Sequence, residues 1–196
     1  LPFCNVSAML SSVAFMGLAI PTVYFAYKTF ALPDGQRFYH IVTTFVCMFA
    51  SLAYLTMATG HGVYIRPFDG REFFYARYID WSFTTPLQLI DICGFGAADS
   101  DTMAWLLGID FLMIIAGLIG AFLEGQEKWA FWGFGCLMFV PIVYYMLTTI
   151  KESEAFKAQP QWKKDVYGKI SMLTAVSWAC YPVVWMFAEG SNKLSA

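Results

Sequence analysis

Apolar residues dominate six long stretches of the chain, roughly 6–28, 39–60, 73–95, 102–123, 129–150 and 170–189. Each approaches or exceeds the length of about 20 residues that a helix needs to cross a bilayer, so the pattern predicts six spanning helices. Turn chemistry marks the gaps between them: Pro33-Asp34-Gly35, Gly60-His61-Gly62, Asp69-Gly70 and Gly94-Phe95-Gly96. The connections are short except for the polar stretch 151–169, read as a loop. Pro21, Pro86, Pro141 and Pro182 fall inside runs, which membrane helices tolerate better than soluble ones. No short repeat or low-complexity segment breaks the pattern, and residues 1–196 are expected to form one transmembrane domain.

The third run departs from the others because it carries charge. It holds Arg77, Asp80 and Asp91, and ionisable groups inside a membrane segment are costly and usually serve an ion or proton path. Asp80 and Asp91 are eleven residues apart, which returns them to nearly one helix face, roughly 16 Å apart along the axis. Arg77 lies one turn before Asp80 and Thr84 one turn after it. Both neighbours favour a charged carboxylate, which suits Asp80 as an acceptor or counter-ion. Asp91 sits between Ile90 and Ile92, with Leu87 and Leu89 nearby. Such surroundings favour the neutral acid and suit a donor. The alternative is purely structural, with an Arg77–Asp80 pair fixing the packing and Asp91 bonded at a helix end.

Composition agrees with a membrane location. The chain is 59% hydrophobic, 19% aromatic and only 13% charged, with a mean hydropathy of +0.56; soluble domains average about 25% charged residues. A net charge of −2 gives no electrostatic case for a nucleic-acid partner. The five cysteines, Cys4, Cys47, Cys93, Cys136 and Cys180, are scattered singly without a CxxC, so neither a zinc site nor a disulfide framework is expected. His40 and His61 lack partners at ligand spacing, and no metal is expected.

Basic residues orient the chain. Lys28, Arg37, Lys151, Lys157, Lys163, Lys164 and Lys169 fall on one side, seven in all, against four on the other, Arg66, Arg71, Lys128 and Lys193. The positive-inside rule places the first side in the cytoplasm and the N-terminus on the extracellular or lumenal side. The third run then enters from outside, with Arg77 and Asp80 toward the exterior and Asp91 toward the cytoplasm.

The sixth run carries Trp178, Tyr181, Pro182 and Trp185 at i, i+3, i+4 and i+7, which is one helix face. Trp81 adjoins Asp80, and the fifth run presents Trp132, Gly135 and Phe139. An aromatic stripe can be simple membrane packing. Bulky rings beside small residues such as Gly117 and Gly135 could also wall a narrow, flat pocket for an apolar conjugated ligand.

Taken together these residues resemble a known family. Arg77-Tyr-Ile-Asp80-Trp-Ser-Phe-Thr84-Thr-Pro-Leu-Gln-Leu-Ile-Asp91 is similar to helix three of microbial (type 1) rhodopsins, and Trp178-Ala-Cys-Tyr-Pro-Val-Val-Trp185 to their helix six. Asp110 to Gly120 resembles helix four and Lys128 to Phe139 resembles helix five, so the likeness covers residues 7–190 in the family's order. The resemblance implies an all-α membrane protein, a seven-transmembrane-helix rhodopsin bundle of which six helices are present in this chain. It implies retinal as cofactor, no enzymatic activity, and transport of protons in a lipid membrane, often as a homo-oligomer (trimer or pentamer).

The Asp80, Thr84, Asp91 pattern resembles that of light-driven outward proton pumps, with Asp80 as acceptor and counter-ion and Asp91 as cytoplasmic donor. Trp81, Thr85, Met113, Gly117, Trp132, Gly135, Phe139, Trp178, Tyr181, Pro182 and Trp185 match chromophore-pocket positions. Tyr54 and Asp110 match supporting ones, Asp110 as a clamp on Thr85. Gln88 stands where pumps commonly carry an aliphatic residue, and within the family a glutamine there accompanies shorter-wavelength absorption. Glu189 resembles an exit-side release carboxylate, though a solvated loop acid fits it equally. A sensory photoreceptor or a light-gated channel on the same scaffold is the alternative function.

One family feature is missing. The eight lysines, Lys28, Lys128, Lys151, Lys157, Lys163, Lys164, Lys169 and Lys193, all lie at helix ends or in loops. The Schiff-base lysine is therefore expected in a seventh helix outside these 196 residues.

Overall fold

A computed structural model describes residues 6–190 of the chain; Cys4 and Lys193 lie outside the described residues. The first expected run is α1 (Val6–Ala31) and the second α2 (Phe38–Ala58). A two-stranded antiparallel ribbon follows, β1 (Tyr64–Ile65) and β2 (Glu72–Phe73), pairing Tyr64 with Phe73 and Ile65 with Glu72. Then come α3 (Tyr75–Phe95), α4 (Ser100–Phe122) and α5 (Lys128–Tyr144). From α5 the chain runs without a break into a π turn, Tyr145–Thr149, and the short α6 (Ile150–Glu152). One further turn, α7 (Glu154–Lys157), precedes α8 (Gln161–Trp185), which ends in a second π turn, Met186–Gly190.

Among the described residues, five helical stretches are long and apolar enough to cross a membrane: Ser7–Ala31, Phe38–Ala58, Ser100–Phe122, Lys128–Glu152 and Gln161–Gly190. The 21-residue α3 matches them in length but not in apolarity. Arg77, Asp80, Gln88 and Asp91 dilute it, as expected of a segment whose polar groups face an interior. Large apolar side chains on the other helices remain exposed, among them Ile20, Val23, Leu52, Leu137, Val140 and Leu173. In water this would be untenable; in a bilayer these are the surfaces that meet lipid.

The chain packs as two units, one ending at Gln88 and the other beginning at Leu89. In the first, α1 lies along α2, and the turn between them is held by Arg37 on Asp34 at 2.9 Å. The ribbon is tied by a buried arginine. Arg66 is 2% exposed; its guanidinium meets Asp69 at 2.9 Å and lies over the Phe68 ring. Asp69 also accepts the Arg71 backbone N–H at 3.1 Å. Gly62 precedes the ribbon at φ +69°, and a Cβ there would stand 2.6 Å from that of Ala76, so the position demands glycine on two counts.

In the second unit α4 lies along α5. Its core gathers Leu89, Ile92 and Cys93 of α3, Leu106 and Ile109 of α4, and Ile142, Met146, Ile150, Phe156, Tyr167 and Ala175 beyond. The end of α3 closes with Ala97 in the left-handed region (φ 53°), where the Ala98 N–H reaches back to the Cys93 carbonyl at 2.9 Å. Asp99 then caps α4, accepting from the Thr102 backbone N–H and hydroxyl, both at 2.8 Å.

The stretch 151–169 is not a loop. Its second half is the first third of α8, which begins nine residues before the expected run. Lys163, Lys164 and Lys169 made the sequence look like a connection. A helix that outlasts the hydrocarbon can carry such residues on its protruding turns, their stems lying along apolar surface.

Candidate functional site

The candidate side chains fall into two sets, one in each unit. The first belongs to the N-terminal half of α3. Asp80 is 7% exposed, Thr84 5% and Thr85 8%. The hydroxyls of Ser82, Thr84 and Thr85 each donate one turn back, to the carbonyls of Tyr78 (2.7 Å), Asp80 (3.0 Å) and Trp81 (2.8 Å). Pro86 follows at once and has no N–H to give to the Ser82 carbonyl. This stretch of α3 is therefore held by side-chain bonds as well as by its own ladder. Trp81 stands edge-on to Tyr78 with ring centres 5.1 Å apart. Gln88 and Tyr54 are half-buried.

The sequence placed Arg77 beside Asp80. In the structure the Arg77 guanidinium lies over the Phe74 ring, 4.9 Å from its centre, and makes no ion pair among the described residues. The Oδ1 of Asp80 is buried and has no hydrogen-bond partner among the described residues. An orphaned buried carboxylate oxygen is expensive. It marks a place for a proton or a cationic group, and a retinal bound through a lysine nitrogen is a group of that kind. The residues present thus fit the cofactor that the resemblance implies.

The second set lines α4, α5 and α8. Trp132 donates its indole N–H to the Pro182 carbonyl at 2.9 Å, tying α5 to α8. Trp129 continues the stack, edge-on to Trp132 at 5.9 Å and to Trp185 at 6.2 Å. A Cβ on Gly135 would meet only the Met113 carbonyl, at 3.7 Å, so α4 and α5 approach closely there. Phe139, Gly117, Pro182 and Trp185 are half-buried, Trp178 packs on the buried core, and Tyr181 is half exposed. The indole nitrogen of Trp185 is buried without a partner among the described residues.

Asp91 lies on the second unit's stretch of α3, its Oδ1 buried, next to Leu89, Ile92 and Cys93 in the core. Asp110 is fully buried on α4. Glu189 falls in the terminal π turn, where its backbone carbonyl accepts from Lys128 Nζ at 3.3 Å.

Three residues escaped the sequence reading. Trp129 was detectable, three residues before Trp132 on the same helix face. Tyr167 shares a face with Ser171, Ala175 and Trp178, but it stood in the stretch read as a loop. Arg66 was counted as a surface charge, and nothing local announced its burial.

A bacteriorhodopsin-like protein family model matches residues 5–196. The bacteriorhodopsin-II-like protein of Haloquadratum walsbyi is 34% identical over 183 residues, which are 90% of this chain and 74% of that protein. Bacteriorhodopsin of Halobacterium salinarum is 35% identical over 185 residues, 91% of this chain and 69% of that protein. The crystal structure of the light-driven proton pump Coccomyxa subellipsoidea rhodopsin aligns with a TM-score of 0.91 at 31% identity, covering 97% of this chain and 85% of that one. With its all-α fold of membrane-spanning helices, the chain belongs to the bacteriorhodopsin-like family of microbial (type 1) rhodopsins.

Proposed function

We propose that this chain is a light-driven outward proton pump, with Asp80 as acceptor and counter-ion and Asp91 as cytoplasmic donor. The observation that carries the reading is the buried Oδ1 of Asp80, which has no hydrogen-bond partner among the described residues. Retinal, when bound through a lysine, supplies light absorption and a proton whose affinity for its site changes on isomerisation. Asp80 balances that positive charge in the dark and takes the proton at its Oδ1. Thr84, bonded to the Asp80 carbonyl, fixes the backbone from which the carboxylate projects.

By the family resemblance, Trp81, Thr85, Gln88 and Tyr54 are candidates for chromophore contact. Met113, Gly117, Trp132, Gly135, Phe139, Trp178, Tyr181, Pro182 and Trp185 are candidates on the same ground. The Trp132–Pro182 bond keeps the ring wall in place. Asp91, adjoining Leu89, Ile92 and Cys93 of the core, would supply the replacement proton from the cytoplasmic side. Arg77 and Glu189 serve the exit side. The excess of basic residues on the 151–169 side orients Asp91 toward the cytoplasm.

The described lysines lie in the last turn of α1, at the start of α5, on α6 and α7, and in the first nine residues of α8. The attachment lysine is therefore expected in a further helix outside the 196 residues. Sequencing the full-length protein tests this directly.

The function is tested by loading the full-length protein with retinal in cells or vesicles and following pH under illumination. A pump acidifies the outside without any imposed membrane potential. A current that reverses with voltage, or no sustained transport, refutes the reading in favour of a channel or a sensor. Asp80→Asn is expected to abolish transport and red-shift absorption. Asp91→Asn is expected to slow reloading of the proton by about a hundredfold or more, the scale on which a positioned acid contributes to proton transfer.

A further inference from the structure

One side of α8 changes chemistry partway along its length. An open groove of about 840 Å³ runs down it. Near the start of the helix the groove is polar, lined by Lys164, Asp165 and Lys169; further on it is apolar, lined by Met172, Leu173 and Val176. Gly168 lies between the two, and a Cβ there would meet nothing within 4 Å, so the notch is open down to the backbone. Lys164, Gly168, Met172 and Val176 follow one another at intervals of one turn, and Lys169 and Leu173 form the row beside them. Met172 is 50% exposed, Leu173 68% and Val176 58%. From Gly168 to Val176 is about 12 Å along the axis, most of the roughly 15 Å of hydrocarbon in one leaflet.

The two lysines of the groove have donors to spare. Lys164 gives one N–H to the Lys157 carbonyl at 3.3 Å, which anchors its ammonium and leaves two. Lys169 is exposed and makes no ion pair among the described residues. The groove's acid, Asp165, is already engaged by Gln161, whose Nε2 donates to it at 2.8 Å. The neighbouring lysines are committed elsewhere, Lys163 over the Phe95 ring at 5.3 Å and Lys157 on Glu154 at 2.9 Å. Cations above an exposed apolar strip complement one kind of molecule, a lipid with an anionic headgroup. A soluble anion has no use for Met172, Leu173 and Val176, and a neutral lipid has none for the lysines. The basic residues put this end of α8 on the cytoplasmic side, whose leaflet carries anionic lipid. The helix expected to hold the attachment lysine belongs on the chromophore face, with Tyr181. That residue is nine positions past Met172, half a turn round the helix from the groove.

We propose that this side of α8 binds an anionic phospholipid, with the phosphate on the Lys164 and Lys169 ammonium groups, the glycerol at Gly168 and one acyl chain along Met172, Leu173 and Val176. The site stands whether or not the protein pumps protons. It is tested on the full-length, retinal-loaded protein in a non-ionic detergent, with native mass spectrometry following the addition of phosphatidylglycerol or of phosphatidylcholine with the same chains. The wild type is expected to bind its first phosphatidylglycerol about five- to thirtyfold more tightly than its first phosphatidylcholine, the range that one to two lysines near a headgroup command. Replacing both lysines together, Lys164→Gln with Lys169→Gln, is expected to abolish that preference.

Gly168→Leu fills the notch without changing charge and is expected to weaken phosphatidylglycerol binding, whereas Asp165→Asn is expected to strengthen it. An unchanged visible spectrum shows that each variant is folded. Equal affinity of the wild type for the two lipids overturns the proposal, as does a preference that survives the double lysine replacement. Lys157→Gln removes a lysine outside the groove; a loss there as large as that from the double replacement would reduce the effect to diffuse surface charge and overturn the site. Displacement of phosphatidylglycerol by an equal concentration of inorganic phosphate would show an anion site indifferent to acyl chains, and refutes the lipid as its occupant.

Discussion

Trp132→Phe isolates the tie between α5 and α8. The wild-type indole donates to the Pro182 carbonyl at 2.9 Å, and phenylalanine keeps a ring but not the donor. The carbonyl is not orphaned by the change, because it also accepts the Met186 backbone N–H. The loss is therefore the net value of a hydrogen bond, about 0.5–1.5 kcal/mol, rather than a full desolvation penalty. Weakened edge contact with Trp129, now 5.9 Å away, adds up to about 0.5 kcal/mol, since a smaller ring still touches it. Burial of apolar area adds little, because lipid tails are as apolar as the protein interior.

The sum, about 0.5–2 kcal/mol, corresponds to a fall of roughly 1–8 °C in melting temperature for a chain of this size. The assay is thermal loss of visible absorption from the full-length, retinal-loaded protein. Trp129→Phe is the control, since it trims the same stack without touching the bond. A melting temperature within about 1 °C of wild type, or a Trp129→Phe variant that falls as far, would show that the bond does not hold the two helices.

Two further changes test the frame around the site. Gly62→Ala combines a φ of +69° with a Cβ 2.6 Å from that of Ala76; a loss of about 2–4 kcal/mol is expected from strain and overpacking together, and an unaltered thermal melt would refute the geometry at the entrance to the ribbon. At the start of α4, the Thr102 backbone N–H and hydroxyl hold the Asp99 carboxyl below its usual range. A lowered folded value means that the stabilisation is present above the unfolded pKa of about 3.9 and fades as pH drops through the folded one. The gap in melting temperature between wild type and Asp99→Asn should therefore hold at neutral pH and close only below about pH 4; a gap that closes nearer pH 6 would assign it to another group.

The helices were legible because a spanning segment must be both long and apolar, and the runs 6–28, 39–60, 102–123 and 129–150 lie within three residues of the observed bounds at either end. The start of α8 was not, because the hydropathy pattern registers hydrocarbon contact rather than helicity. Lys163, Lys164 and Lys169 are helical and polar at once. The ribbon escaped for the opposite reason, since strands of two residues are too short to show any period.

The α3 spacing singled out Asp80 and Asp91, and each has a buried carboxylate oxygen. It could not show that Arg77 turns to Phe74, because side-chain direction depends on what the neighbouring loop offers. Burial of Arg66 was equally hidden, being set by the Asp69 turn that folds back over it.

The two π turns have a consequence for how this chain can change. Each begins four residues after a proline, Tyr145 after Pro141 and Met186 after Pro182. In the first, the Ile150 N–H reaches back five residues to the Tyr145 carbonyl. A π turn holds one residue more than the α-helix around it and so shifts the phase of all that follows by roughly 100°. Glu189 and Gly190 owe their facing to that offset, and Gly190 is pressed so closely on Trp129 that a Cβ would clash. Removing a single residue from 186–190 would leave the composition of the span nearly intact, yet it would rotate the Glu189 carboxylate to another side of the helix. Length here is a form of information: in these ten residues a deletion acts as a rotation, and the helical phase starts afresh after each π turn.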